Sequence, residues 1–114
     1  MSGLQDIIAR LQEVLDAMDG ADPGDMAGWR DRIDVLDQVL VHLLNERSPS
    51  AYAIGHIKKQ VNAPIYVPER EIEVLSNVLK GNPGPLENEA VRRLFERIID
   101  ETRSLERRKY QDPE

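Results

Sequence analysis

The sequence predicts an all-helical fold, on three observations. Apolar residues recur at three- and four-residue spacing through several long segments. Pro and Gly stand between those segments, where they act as starts and stops. No segment alternates apolar and polar residues as a half-buried strand would. A length of 114 residues suits one domain, or half of an intertwined dimer, but not two independent cores.

The first segment sets Leu4, Ile7, Ile8, Leu11, Val14, Leu15 and Met18 along one stripe, with Gly20 as its stop. Asp22-Pro23 then reads as an N-cap followed by Pro at the first helical position, where its missing N–H costs nothing. The helix it opens carries a seam of Met26, Trp29, Ile33, Leu36, Leu40, Leu43 and Ile54, at near-heptad spacing until residues 61–64 break it. Pro49 falls inside this helix, and because the seam resumes in phase beyond it, a kink is expected rather than two helices. Tyr66-Val67-Pro68 is an extended entry into a third helix bearing Ile72, Leu75, Val78 and Leu79 and ending at Gly81. After the turn residues 82–85, the last helix shows Val91, Leu94, Phe95, Ile98, Ile99, Thr102 and Leu105, fraying at 107–109. The organisation expected is an N-terminal amphipathic helix and linker at 1–22, the main domain at 23–110 and a polar tail at 111–114.

Length arithmetic favours a dimer. A helix over 25–60 would span roughly 54 Å at ~1.5 Å per residue, whereas a compact monomer of this size is about 34 Å across. Part of the seam overhangs, and a second copy of the chain is the simplest cover.

Composition narrows the function. Apolar residues make up 40% and charged residues 32%, a globular balance, and no apolar run reaches the ~20 residues of a membrane span. The formal charge is −6; residues 1–29 hold six acids and one base, leaving fifteen acids and fourteen bases in the remainder. That acidic leader has the wrong sign for a targeting segment, so a cytoplasmic location is expected. A nearly neutral remainder without a basic stripe argues against a nucleic-acid surface. With no Cys, and with His42 and His56 fourteen residues apart, neither thiol chemistry nor a zinc site is indicated. Ser48 and Ser50 have no His–acid relay, and Gly84 belongs to a turn.

Several polar residues occupy positions where the apolar pattern calls for hydrocarbon. Arg47 lies seven residues after Leu40, and Lys58 eleven after Arg47, which returns it to within roughly 20° of the same direction. Glu106 falls eleven residues after Phe95 and four after Thr102, so both extend the apolar face of the last helix. Arg70 stands beside Glu71 in the first turn after Pro68. Any one of these reads as a snorkelling or paired charge. Together they point to a small anionic ligand, because burying three cations and one acid is costly unless they are paired or liganded. Arg30 is about 260° round the helix from Arg47, so it reaches such a pocket only from a second subunit.

Four blocks in this order and spacing resemble the all-helical class of chorismate mutase: Trp29-Arg30-Asp31-Arg32-Ile33-Asp34-Val35-Leu36-Asp37, Leu43-Leu44-Asn45-Glu46-Arg47, Ile54-Gly55-His56-Ile57-Lys58 and Pro68-Glu69-Arg70-Glu71. The resemblance covers about residues 26–108 and leaves 1–22 outside. It implies an intertwined homodimer of three-helix subunits, with a long first family helix, that converts chorismate to prephenate in phenylalanine and tyrosine biosynthesis without a cofactor or metal. By position, Arg47 and Arg70 are expected to bind the two carboxylates, with Arg30 contributed by the other subunit. Lys58 and Glu106 are expected to hydrogen-bond the ether oxygen of the breaking bond, and Glu71 to hold the ring hydroxyl. Thr102 stands where the family often has a small hydroxyl residue.

Three departures from the family's pattern stand out: Val67 where some relatives have Asp, Pro49 two residues after Arg47, and Glu106 where other members have Gln. Only a protonated Glu donates a hydrogen bond, so turnover is expected to decline as pH rises and Glu106→Gln to flatten the decline. The alternatives are an isochorismate pyruvate-lyase on the same scaffold, or a noncatalytic helical adaptor or regulatory domain. The N-terminal helix is expected to pack on the dimer, with contact to another pathway enzyme or a feedback role as its alternatives.

Overall fold

The computed structural model describes residues 3–111, in four helices with no strand among them. These are α1 (Gly3–Met18), α2 (Met26–Val61), α3 (Pro68–Lys80) and α4 (Asn88–Gln111). The chain divides into two compact units between Arg47 and Ser48, within α2. No described helix is long and apolar enough to cross a membrane.

In the first unit, α1 turns its stripe inward: Ile7 is buried, and Leu4, Leu11, Val14, Leu15 and Met18 are half-buried, while Ile8 is exposed. Gly20 stops it with φ 74°, a conformation a side chain resists. The start of α1 sits against α2, where a Cβ on Gly3 would lie 3.0 Å from the His42 ring. Val35, at 4% exposure, is the best-buried apolar residue here.

The expected N-cap is corrected. Asp22 accepts from the Gly24 N–H at 2.9 Å in a local turn, and α2 begins three residues after Pro23, at Met26. Asp25 is the cap, its Oδ1 accepting from Gly28 N at 3.0 Å, the third helical residue. Glycine after Pro23 favours a turn there, and the second Asp then supplies the cap. The Trp29 Nε1–H donates to the Asp22 carbonyl at 3.3 Å, fixing the entry to α2.

Helix α2 runs uninterrupted through Pro49. In the second unit its later half meets α4 at a small residue, Gly55, which is buried against the Glu106 backbone; Ala51, one turn earlier, is 2% exposed. Asn62, at φ 57°, turns the chain out of α2. Val67 is extended (φ −127°, ψ 91°) and Pro68 opens α3. Gly81 closes α3 in a right-handed rather than left-handed conformation (φ −87°, ψ −1°), its N–H bonded to the Asn77 carbonyl at 3.2 Å. Asn82 then ties the following loop together, donating to Leu86 O and Asn88 Oδ1 and accepting from Gly84 N.

The fraying expected at 107–109 is also corrected: α4 continues to Gln111. Arg, Lys and Gln are good helix formers, and cations suit a helix C-terminus. Beyond Gln111 the expected tail lies outside the described residues.

Candidate active site

The second unit brings two of the expected site residues into direct contact. Lys58, on α2, directs its Nζ to Glu106 Oε1 on α4 at 2.6 Å and to the Ile65 carbonyl at 2.8 Å. The two side chains are 17% and 11% exposed, and Glu106 is the only buried charged residue among those described. An ammonium carries three N–H groups, and these two contacts engage two of them.

The helix packing explains why these two meet. A Cβ built on Gly55 would lie 2.6 Å from the Glu106 carbonyl oxygen and 2.8 Å from its Cα. Gly55 therefore lets the α2 and α4 backbones approach at the level of Glu106. Lys58, three residues later and nearly one turn on, faces the same way. The Ile65 carbonyl, in the stretch between α2 and α3, completes the grip on the ammonium.

A second cluster joins α3 to α4. Arg103 holds Glu71 with both prongs of its fork, Nε to Oε2 at 2.9 Å and Nη2 to Oε1 at 3.1 Å. Its Nη2 also donates to Asp100 Oδ1 at 3.1 Å, and its guanidinium lies over the Tyr66 ring, 5.1 Å from the centroid. The hydrogen bond from Glu71 pushes the Arg103 pKa up against a lowering effect of burial, and the charges of Glu71, Asp100 and Tyr66 add to the rise. Sequence reasoning missed Arg103. Its only sequence signal is its place between Thr102 and Glu106 on the last helix, and its partner is 32 residues away.

The other expected residues are placed as follows. Arg70 is exposed and paired with Glu73 on its own helix. Thr102 is half-buried, and its hydroxyl donates to the Ile98 carbonyl at 2.9 Å. Thr102, Arg103 and Glu106 lie within about one turn of α4, so a single helix carries residues of both clusters. Arg30, exposed, and Arg47, half-buried, belong to the first unit. Val67 makes no side-chain cap at the start of α3.

Comparison with known proteins places this geometry in a lineage. The family described as chorismate mutase type II matches residues 29–107, which include Arg30, Arg47, Lys58, Arg70, Glu71, Thr102, Arg103 and Glu106. The bifunctional chorismate mutase/prephenate dehydratase of Neisseria gonorrhoeae is 42% identical over 78 residues, covering 68% of this chain and 21% of that protein. Its counterpart in Pseudomonas aeruginosa is 41% identical over 91 residues, 75% of this chain and 25% of that protein. The T-protein of Enterobacter agglomerans is 35% identical over 76 residues, 62% of this chain and 20% of that protein. The chain thus spans a quarter or less of the length of these curated relatives. No solved structure gives a significant match. An all-helical chain whose matched region pairs Lys58 with Glu106 across two close-packed helices belongs to the type II chorismate mutase family.

Proposed function

We propose that this chain isomerises chorismate to prephenate, a step of phenylalanine and tyrosine biosynthesis, and that it does so in the cytoplasm as a homodimer without a cofactor. The observation that carries the reading is the half-buried Lys58–Glu106 pair inside the family's matched region.

The reaction is an intramolecular rearrangement, so it needs no nucleophile. The protein has to hold the compact conformer and to stabilise charge that builds on the ether oxygen as its bond breaks. Lys58 supplies an N–H to that oxygen, and Glu106, once protonated, supplies a second donor. Arg47 and Arg70 bind the substrate's two carboxylates through their planar forks, and Glu71 takes the ring hydroxyl. Thr102 lies on the same stretch of α4 and lines the site. One preorganised contact to developing charge is worth ~3 kcal/mol, so two or three of them with conformer selection reach the ~8 kcal/mol at the low end of enzymatic acceleration.

A second copy of the chain completes the site in this proposal. Along α2, Met26, Ile33, Leu40, Ile54 and Val61 fall on one seven-residue repeat, with Arg47 filling the remaining position. All five apolar residues are exposed, at 45–65%. A heptad line of exposed hydrocarbon is the mark of a helix that lacks its partner, and a symmetric pairing covers it. The pairing brings Arg30 of the second copy to the site. The main domain is residues 23–110, and α1 packs on the dimer.

Incubating the purified chain with chorismate tests the reading. Prephenate formation is expected, at a rate that Lys58→Ala and Glu106→Ala each lower by about 10²–10³-fold. Unchanged chorismate contradicts the proposal, and release of pyruvate and salicylate from isochorismate would assign the chain as a pyruvate-lyase instead.

A further inference from the structure

We propose that Arg103 is a positioning residue that sets the selectivity of this site for a hydroxylated ring, by clamping Glu71 in the orientation that receives the hydroxyl. The inference rests on the proposed reaction and adds to it a residue outside the cationic set that the sequence pattern picks out.

A glutamate has three side-chain torsions, and the last of them is broad, so an unclamped Glu71 samples many carboxylate orientations. Here both its oxygens are held, Oε2 by Arg103 Nε at 2.9 Å and Oε1 by Nη2 at 3.1 Å. Two parallel bonds fix the carboxylate plane as well as its position. Each oxygen still has a lone pair, so the clamp leaves Glu71 able to accept from a hydroxyl. Arg103 is itself held on two further sides, by Asp100 Oδ1 at 3.1 Å and by the Tyr66 ring beneath the guanidinium. Arg103 and Glu71 are 26% and 24% exposed, so their pair is partly shielded from water. The arrangement spans three separate pieces of chain: α3, α4 and the stretch carrying Tyr66. An incidental surface ion pair needs none of this bracing.

The clamp makes the benefit of Glu71 conditional on Arg103. An acceptor misplaced by about 1 Å loses on the order of tenfold to a hundredfold in rate, and only for a substrate that offers the hydroxyl.

The test compares kcat/KM for chorismate and for a chorismate analogue lacking the ring hydroxyl, in wild type, Arg103→Ala, Arg103→Lys, Glu71→Ala and the Glu71→Ala/Arg103→Ala double variant. Arg103→Ala is expected to lower kcat/KM about tenfold for chorismate and to leave the analogue's value within about twofold. Arg103→Lys, which keeps the charge but not the fork, falls between the two. The double variant is expected to match Glu71→Ala alone. Equal losses on both substrates, or a full additional loss in the Glu71→Ala background, would overturn the inference and make Arg103 a merely structural residue. Should Arg103→Ala fail to fold by circular dichroism, Arg103→Lys carries the same substrate comparison. Absence of chorismate turnover in the wild type sinks the proposed reaction itself, and this inference with it, whatever the variants do.

Discussion

Replacing Gly55 with Ala opposes two effects of different sign. In an exposed helix the substitution stabilises by roughly 0.5–1 kcal/mol, because glycine loses more backbone freedom on folding. At this position the new Cβ would meet Glu106 backbone atoms at 2.6, 2.8 and 3.1 Å, against an ordinary contact of 3.4 Å or more. Backbone cannot rotate aside as a side chain would, so α2 and α4 have to separate by about 0.8 Å at this level. Overpacking costs about 1–3 kcal/mol, and a clash with backbone that cannot rotate aside falls in the upper half, about 2–3 kcal/mol, so that after a propensity gain of up to about 1 kcal/mol a net loss of about 1–2 kcal/mol is left. For a chain of this size that lowers Tm by roughly 4–16 °C at fixed protein concentration. The same separation, if carried to the side chains, takes the 2.6 Å Lys58–Glu106 contact to about 3.4 Å, outside good hydrogen-bond geometry. Turnover is then expected to fall by about tenfold to a hundredfold. Thermal melts followed by circular dichroism, alongside chorismate kinetics, measure both effects. A Gly55→Ala protein more stable than wild type with unchanged kcat/KM refutes the packing argument.

The remaining predictions concern charge, assembly and the leader. Glu106→Gln keeps a hydrogen-bond donor at this position and is expected to retain turnover that Glu106→Ala loses; a Gln variant as impaired as the Ala variant contradicts a donor role for residue 106. Leu40→Asp places a charge on the exposed heptad line of α2 and is expected to shift the sedimentation coefficient to that of a single chain while abolishing turnover. An unchanged assembly and rate would show that this face stays open. Deleting residues 1–20 removes the helix that buries Ile7, and a Tm lower by several degrees is expected; an unchanged melt and rate instead favour an external partner for α1. Arg30→Ala, Lys58→Ala and Glu106→Ala are each expected to lower turnover by about 10²–10³-fold, whereas an adaptor would keep its partner binding in all three.

Much of the architecture is legible in the sequence because helices announce themselves locally. Gly20, Pro68 and Gly81 mark boundaries, and the 3.6-residue apolar period marks faces. Lys58 and Glu106 were legible for the same reason, each being a charge in an apolar phase. Local rules mislead where two residues compete for one task. Asp22 and Asp25 are both good caps, and what decides between them is whether Pro23-Gly24 turns or coils, which no apolar period reports. Pro49 taken alone reads as a breaker, but the apolar seam that resumes in phase beyond it marks a single helix, and α2 continues through it. Arg103 was illegible for a different reason. Its meaning lies in Glu71, Tyr66 and Asp100, and only the register of α4 against α3 brings the first of these within 3 Å of its Nε. Gly55 likewise reads as a weak spot in a helix until Glu106 is seen against it.

The most direct test of a site shared between two chains is subunit mixing. Arg30→Ala and Lys58→Ala break different halves of the proposed site, so each variant alone is expected to be inactive. Unfolded together and refolded at equal concentration, half the dimers are mixed, and each mixed dimer holds one intact site. Recovery of about a quarter of wild-type activity is predicted. A mixture as inactive as its components would contradict a site built from two copies of the chain.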